Sequence, residues 1–278
     1  MHAYTGSFRT ARGPTLFTRT YLPDGVARAA VIITHGYAEH SGRYDALARR
    51  LVGEGYAVYA FDHRGHGQSG GKRASIRVFR EYVDDLARFI DRVRETRPYP
   101  PRFLFGHSMG GLVALQLVLE HPEKVEGLAV SGALLENAVR VPPLLERAAA
   151  VLSRLAPDLP VQELRAEDVS RDPAVVQAYK DDPLIYHGKV RARLGFELLR
   201  GGPYVLGRAH NIELPVLLQH GAADKLAAVS GAQALFDALG SADKTLELYE
   251  GAYHEILNDY GYESVLDDLV AWFNVRSS

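Results

Sequence analysis

The 278-residue sequence contains no cysteine, and this absence removes several kinds of chemistry at once. A chain without thiols cannot use a cysteine nucleophile, form a disulfide or hold a metal through thiolates. A large excess of one charge is also missing, because 32 Lys and Arg residues nearly balance 34 Asp and Glu residues. Without a basic surface to attract phosphates, nucleic acid is not an expected partner.

Long apolar runs are missing as well. The longest, 112–119, is interrupted by Gln116 and is far shorter than the roughly 20 residues that span a membrane. The first six residues lack the basic start and apolar stretch of a secretory signal. The composition, with 47% hydrophobic and 24% charged residues, is that of a globular protein. We therefore expect a soluble, cytoplasmic protein.

The sequence does contain a regular alternation of short strand-like runs and helical patterns. Strands are predicted at 7–9, 15–21, 29–34, 56–61, 103–105, 128–131, 215–220 and 245–249. Helices are predicted at 43–54, 76–97, 110–120, 231–239 and 262–273. After an initial hairpin, this order predicts an α/β fold with a mostly parallel sheet covered by helices on both faces.

The segment 135–207 breaks this alternation. It carries seven prolines among short apolar pieces, and prolines at such density divide helices into short units. We interpret it as a helical cap inserted after the sixth strand, over a core formed by 1–134 and 208–278. Its apolar stretches at 141–155 and 194–199 either pack internally or line an acyl channel and touch a lipid surface.

A serine lies in a glycine-rich turn after the predicted strand 103–105. Gly106-His107-Ser108-Met109-Gly110 has the G-x-S-x-G spacing of a nucleophile elbow, between a strand and a helix. The strained turn requires small residues two positions before and after the serine, and both glycines meet this need. Ser108 is therefore the candidate nucleophile.

A serine nucleophile needs a histidine base and an acid that orients the histidine. In this architecture both follow the serine, in the order acid and then histidine. Asp224 comes just after the predicted strand 215–220, and His254 follows the next strand. Asp237 and Asp243 are alternative acids, although the first lies in a predicted helix and the second precedes a strand.

Two backbone amides are candidates for stabilising the oxyanion of an acyl-transfer reaction. Met109 follows Ser108 at the start of a predicted helix, where the first backbone amides have no partner within the helix and can donate to an anion. Tyr37 lies in the loop after the strand 29–34, where Gly36 lets the backbone turn towards the site.

Several other histidines could suggest a metal site, namely those at 35, 40, 63 and 66. The lack of cysteine and the neighbouring glycines favour histidines that stabilise turns, so no metal is expected. His210 and His220 are likewise assigned structural roles. Asp62 and Arg64 are predicted to form an ion pair within their loop.

Five blocks of this sequence resemble those of monoacylglycerol lipases and their lysophospholipase-like relatives. They are the HGxxEHSGRY block at 35–44, the D-x-R-G-H-G-x-S block at 62–69, and the blocks at 106–111, 220–224 and 249–255. The resemblance spans nearly the whole chain, including 181–185 within the cap. It implies the α/β-hydrolase fold, no cofactor, no metal and a triad of Ser108, Asp224 and His254.

The resemblance also implies roles for other residues. The oxyanion amides of the family match Tyr37 and Met109, and Glu39, Arg43 and Tyr179 match positions associated with the polar glycerol end of the site. The implied reaction is hydrolysis of a monoacylglycerol, a lipid monoester, through an acyl-enzyme. A lysophospholipase or short-chain carboxylesterase with the same triad is an alternative, and a non-catalytic lipid-binding relative is a different class. The cap is expected to contact membranes or micelles transiently, and no oligomeric state is indicated.

Overall fold

The computed structural model describes residues 1–10, 13–96, 101–138 and 143–277. Its strands are β1 (His2–Arg9), β2 (Thr15–Leu22), β3 (Ala29–Thr34), β4 (Tyr56–Phe61), β5 (Arg102–His107), β6 (Gly127–Ser131), β7 (Pro160–Gln162), β8 (Val190–Arg191), β9 (Val216–Gly221) and β10 (Lys244–Tyr249). Its α-helices are α1 (Asp45–Gly53), α2 (Arg80–Thr96), α3 (Met109–Glu120), α4 (Pro143–Leu155), α5 (Pro173–Asp181), α6 (Ala192–Leu206), α7 (Val229–Ala238) and α8 (Tyr262–Arg276).

Eight of these strands form one sheet, in the order β1-β2-β4-β3-β5-β6-β9-β10. The first two strands run antiparallel to their neighbours, and all pairs from β4 to β10 are parallel. The predicted sheet, mostly parallel and flanked by helices, is therefore confirmed. Parallel strands present their carboxyl ends at the same edge, which places the loops after β3, β5, β9 and β10 together.

Both faces of the central strands are buried, which explains their continuous apolar sequence. In β3, Ala30 and Ile32 point into a core cluster shared with α2 and α3, whereas Val31 and Ile33 point into a second cluster with α1 and α8. The alternation follows from the two-residue repeat of a strand. The neighbouring strands β3 and β4 have the bounds that the sequence predicts.

Some boundaries differ from those predicted. Strand β1 begins at His2 rather than at residue 7, because its backbone pairs with β2 from His2 onwards. The added residues lie on an exposed edge, so they show no alternation of apolar and polar side chains that would have predicted the strand. Helix α2 begins at Arg80 rather than at residue 76. Ile76 and Phe79 fit the apolar spacing of the helix and are buried, but they lie in the segment that precedes it. The predicted helix over 43–54 divides into a 3₁₀ turn, Ser41–Tyr44, and α1. Arg97, the predicted end of α2, lies outside the described residues.

The chain between β6 and β9 contains α4, β7, α5, β8 and α6, and we call its described part the insertion. Prolines begin α4 and α5, as expected for the first turn of a helix, but α6 continues past Pro203. The proline at 142 lies outside the described residues. Within the described residues, no helix combines the length and apolar character that crossing a membrane requires. The cap boundaries 135–207 remain our proposal.

Candidate active site

Ser108 lies in a strained turn between β5 and α3. Its backbone has φ 52° and ψ −118°, a conformation that residues other than glycine rarely adopt. The turn is held because the Ser108 amide donates to the Ser131 carbonyl at 2.9 Å, beside the end of β6. The strained backbone therefore presents the hydroxyl at the carboxyl edge of the sheet.

Two glycines make this turn possible. A Cβ on Gly106 would lie 2.7 Å from the Gly110 carbonyl oxygen, and a Cβ on Gly110 would lie 2.2 Å from the Thr34 carbonyl oxygen. Real side chains do not approach backbone oxygens this closely, so both positions require glycine. The close approach of α3 to β3 also brings Ser108 next to the loop that follows β3.

The three predicted triad residues lie in one hydrogen-bonded chain. The Ser108 Oγ is 2.8 Å from His254 Nε2, and His254 Nδ1 is 2.7 Å from Asp224 Oδ2. All three side chains are buried or nearly so. An ionised Asp224 accepts a hydrogen bond from Nδ1–H, and this keeps the proton of the neutral imidazole on Nδ1. Nε2 is then free to accept the proton of the serine hydroxyl.

Charge on the triad is stabilised within the protein. Burial opposes the charged form of His254, but the charge and hydrogen bond of Asp224, followed by the charges of Glu255 and Glu39, outweigh it and raise its pKa above 6.5. Burial would also raise the pKa of Asp224, yet His254 and hydrogen bonds from His220 and His254 lower it well below its ordinary value. Asp224 is therefore ionised whenever His254 is titrated.

The acid has a further partner that the sequence did not suggest. His220 Nε2 lies 3.2 Å from Asp224 Oδ2 and 3.1 Å from the Ala227 carbonyl oxygen, and its side chain is fully buried. The other oxygen of Asp224 accepts from the amides of Leu226 and Ala227 at 2.8 and 3.0 Å. His220 was predicted to be structural, and the geometry places it against Asp224.

The alternative acids lie elsewhere. Asp243 precedes β10 and forms an ion pair with Arg276, and Asp237 lies in α7, where it accepts from Gln233 at 3.2 Å. Among the described residues, neither carboxylate forms a hydrogen bond or ion pair with His254. Asp224 is the carboxylate that the fold brings to the histidine.

The loop after β3 lies against the nucleophile. A Cβ on Gly36 would be 3.3 Å from Ser108 Cβ, and the Gly36 amide donates to Glu39 Oε1 at 2.6 Å. Tyr37 lines the same cavity as Ser108, and Met109 is the first residue of α3. The first amides of a helix have no partner within the helix, so the amide of Met109 is available to an oxyanion.

The histidines of the N-terminal half serve the loops. His35 is hydrogen-bonded to the Gly36 carbonyl at 2.7 Å and accepts from the His63 amide at 2.9 Å. Burial lowers the pKa of His35 to about 4 and that of His66 to about 3, so both are neutral. Within the described residues, no group of three or more histidines and carboxylates is placed to hold a metal ion.

The predicted ion pair between Asp62 and Arg64 is wrong. Asp62 instead accepts from the amide and hydroxyl of Ser41 and from the Gln68 amide, at 2.5–2.8 Å. Arg64 turns to α2 and binds Asp85 with two hydrogen bonds of 2.7 and 2.8 Å. The two side chains are therefore held by different parts of the fold, Asp62 by the loops around Ser41 and Gln68 and Arg64 by α2.

The three residues assigned by resemblance to the glycerol end lie together. Glu39 Oε1 accepts from the Tyr44 hydroxyl at 2.6 Å, and its Oε2 accepts from Arg43 at 3.2 Å. The Arg43 guanidinium carbon lies 5.1 Å from the centre of the Tyr179 ring, a cation–π contact between the core and α5. Glu39 and Tyr179 line the cavity beside Ser108.

A fourth residue, the charged Glu255, joins this group and was missed by the sequence analysis. Its carboxylate binds the Arg43 guanidinium at 2.5 and 2.8 Å, although the two residues are 212 positions apart. The Glu255 amide donates to the Val169 carbonyl of the insertion at 2.8 Å. Glu255 follows His254 at the end of the block 249–255, but adjacency alone does not predict which way a side chain points.

Comparisons with known proteins cover nearly the whole chain. Residues 25–261 match the family described as serine aminopeptidase, S33. A monoacylglycerol lipase of Mycolicibacterium smegmatis is 40% identical over 266 residues, covering 96% of this chain and 95% of that protein. A monoglyceride lipase of Rattus norvegicus is 36% identical over 269 residues, covering 96% and 89%. The crystal structure of a Paleococcus ferrophilus monoacylglycerol lipase has a TM-score of 0.84 at 33% identity and covers 100% of both chains.

Proposed function

This chain belongs to the serine aminopeptidase, S33 family of α/β-hydrolases, and from that premise we propose that it hydrolyses monoacylglycerols to fatty acid and glycerol. The observation that carries the proposal is the hydrogen-bonded chain from Ser108 through His254 to Asp224. The two monoacylglycerol lipases that align over 96% of the chain support the substrate class.

The proposed reaction has two acyl-transfer steps. His254 Nε2 takes the proton of Ser108 as the hydroxyl oxygen attacks the ester carbonyl, and Asp224 holds the imidazolium that forms. His254 then protonates the glycerol oxygen, the ester bond breaks and an acyl-serine remains. Water, deprotonated by His254, attacks the acyl carbonyl, and the fatty acid leaves as the serine regains its proton.

We assign the oxyanion of each tetrahedral intermediate to two backbone amides, those of Met109 and Tyr37. The first begins α3, whose N-terminus favours negative charge, and the second lies in the loop that packs on Ser108. The loss of one such donor typically costs about 3 kcal/mol of transition-state stabilisation. Glu39, Arg43 and Tyr179 are assigned to the polar end of the site, which holds the glycerol.

The test compares three substrates on the purified protein. A long-chain monoacylglycerol, the lysophospholipid with the same acyl chain and a short aryl ester are assayed with wild type and Ser108→Ala. We expect fastest turnover of the monoacylglycerol, and a loss of about a thousandfold or more in Ser108→Ala. The exposed Ser264, whose hydroxyl donates to the Gly261 carbonyl, provides Ser264→Ala as the matched control with wild-type activity.

The other outcomes are equally informative. Turnover of the aryl ester alone would keep Ser108 as the nucleophile and reduce the assignment to a short-chain carboxylesterase. Preference for the lysophospholipid would assign a lysophospholipase. Absence of Ser108-dependent turnover of all three esters would contradict catalysis and favour a lipid-binding relative.

We further propose that the insertion contacts the lipid surface that holds the substrate. Val151 and Leu155, one turn apart on α4, are 58% and 81% exposed, and Leu159 and Val161 beside them are also exposed. Such an apolar patch favours burial at the boundary of a membrane or micelle. Co-sedimentation with phosphatidylcholine vesicles should fall about tenfold in Leu155→Glu, because burying a leucine contributes about 1.5–3 kcal/mol. Val275→Glu, at an equally exposed site in α8, is the control, and equal sedimentation of both variants would contradict the proposal.

A further inference from the structure

The cavity beside Ser108 has a polar face next to the catalytic histidine. Among its described lining residues, the apolar ones are Leu164, Val169 and Leu226, and the acidic ones are Glu39 and Glu255. In the proposed reaction His254 gives its proton to the leaving oxygen, so the alcohol lies on the His254 side of the nucleophile. Glu255 lines this cavity, and Arg43 joins it to Glu39 at the end assigned to glycerol, so we place Glu255 beside the leaving alcohol.

The charges of this face do not cancel. Arg43 Nη1 lies 2.5 Å from Glu255 Oε1 and 3.2 Å from Glu39 Oε2, so one guanidinium is shared by two buried carboxylates. Burial would raise the pKa of Glu255, but Arg43 outweighs burial and lowers it, so the carboxylate is ionised. The described residues that line the cavity include both carboxylates and no lysine or arginine. A leaving group consequently meets negative charge.

The same face retains places for hydrogen-bond donors. A carboxylate oxygen can accept two hydrogen bonds, and among the described residues Glu255 Oε1 and Glu39 Oε2 each accept one, from the same Arg43 nitrogen. Their other oxygens are occupied, by Arg43 and Asn258 at Glu255 and by Gly36 and Tyr44 at Glu39. Hydroxyl groups of a polyol can donate to the two remaining positions, whereas an ionised phosphate on the alcohol brings further negative charge against both carboxylates.

We propose that Glu255 is a specificity-determining residue, which with Glu39 accepts hydrogen bonds from a neutral polyol and excludes esters whose alcohol carries an anion. The inference rests on the proposed function and names the residue that makes the site prefer a neutral glycerol ester to an anionic one. Glu255 is held rigidly for this role, because Arg43 and Asn258 fix its carboxylate and Val169 fixes its amide. A fixed, buried charge discriminates more strongly than a solvated one.

The test measures kcat/KM for lauroyl glycerol and for lauroyl glycerol 3-phosphate, which share the acyl chain and differ in the charge of the alcohol. Glu255→Gln keeps the size of the side chain and an oxygen for Arg43 but removes the negative charge. We expect the ratio of anionic to neutral kcat/KM to rise about tenfold or more in Glu255→Gln. Partial unfolding would lower both rates and leave this ratio unchanged. The exposed Glu213 provides Glu213→Gln, equal in charge change, which should keep the wild-type ratio.

A second substrate pair separates this proposal from the proposed function. Phenyl butyrate and 4-sulfophenyl butyrate differ in leaving-group charge and contain no glycerol. If lauroyl glycerol is not hydrolysed but Glu255→Gln raises the anionic ratio of the aryl pair, the proposed function fails and the role of Glu255 stands. An unchanged ratio in both pairs overturns the role of Glu255, as does a wild type that hydrolyses charged and neutral esters equally well.

Discussion

The core and the insertion contribute to one site in different ways. In the core, main-chain geometry positions the chemistry: Gly110 packs against the backbone of β3, and Ser108 occupies a strained turn that parallel strands hold in place. The insertion is joined to the core through side chains, with Asp182 bound to His40 at 2.9 Å and Arg171 bound to Asp259 at 3.0 Å. It adds Val169 and Tyr179 to a cavity that the core lines with Ser108, Glu39 and Glu255.

The largest expected effect follows from breaking the core part of the site. Asp224→Asn should reduce kcat for a short aryl ester about a thousandfold or more, because an amide facing Nδ1 favours the imidazole tautomer that cannot accept the Ser108 proton. Asp243→Asn removes an equal charge from an ion pair with Arg276 and should leave kcat unchanged. A loss of less than about tenfold in Asp224→Asn would contradict the role of Asp224 as the orienting acid.

The next effect compares one glycine from each region, both within helices. A Cβ on Gly110 would lie 2.2 Å from a backbone oxygen, so Gly110→Ala should lower the free energy of unfolding by about 2 kcal/mol or more. In α6 of the insertion, a Cβ on Gly195 would have its nearest neighbour at 3.4 Å, an ordinary contact. Gly195→Ala should therefore raise the free energy of unfolding by about 0.5–1 kcal/mol, since alanine loses less entropy in a helix.

Urea unfolding, followed by circular dichroism, measures both changes under the same conditions. Opposite signs for the two variants would support tight packing at Gly110 and free space at Gly195. Destabilisation by Gly195→Ala as large as that by Gly110→Ala would contradict the space described at Gly195.

The same difference explains what could be predicted from the sequence. Strands β3 and β4 were predicted with correct bounds, because strands buried on both faces require continuous apolar residues. The positions of Ser108, Asp224 and His254 followed from strand ends and from glycines that the turn requires. These features are local, and a steric or burial requirement at each position leaves its mark on the residue type.

Other parts of the site could not be predicted. The contact of Arg43 with Glu255 joins residues 212 positions apart. Arginine and glutamate are also common on protein surfaces, so their residue types did not predict that these two would meet in a buried contact. The sequence placed His220 at the end of a strand, and that position did not predict its contact with Asp224. The pairing of Asp62 and Arg64 was predicted from their closeness in sequence, but Asp62 binds Ser41 and Arg64 binds Asp85. Side-chain partners that depend on long-range packing leave no local pattern.

The smallest expected effect concerns His254, where the two regions meet. Its loop is joined to the insertion through the Glu255 amide and the Val169 carbonyl, and its imidazole is joined to the core through Asp224. His254 must be neutral to accept the Ser108 proton, so the rate should rise with pH as His254 loses its proton. Since the neighbouring carboxylates raise its pKa above 6.5, the midpoint of this rise should lie above pH 6.5.

The sign of this shift can be tested by removing one contributing charge. Glu255 raises the pKa of His254 less than Asp224 does, so Glu255→Gln should move the midpoint of kcat/KM to lower pH. The measurement uses a short neutral aryl ester, for which acyl transfer rather than substrate binding limits the rate. A wild-type midpoint below 6.5, or an upward shift in Glu255→Gln, would contradict the charge arrangement described for the site. A downward shift would mean that the residue tied to the insertion tunes a base held by the core.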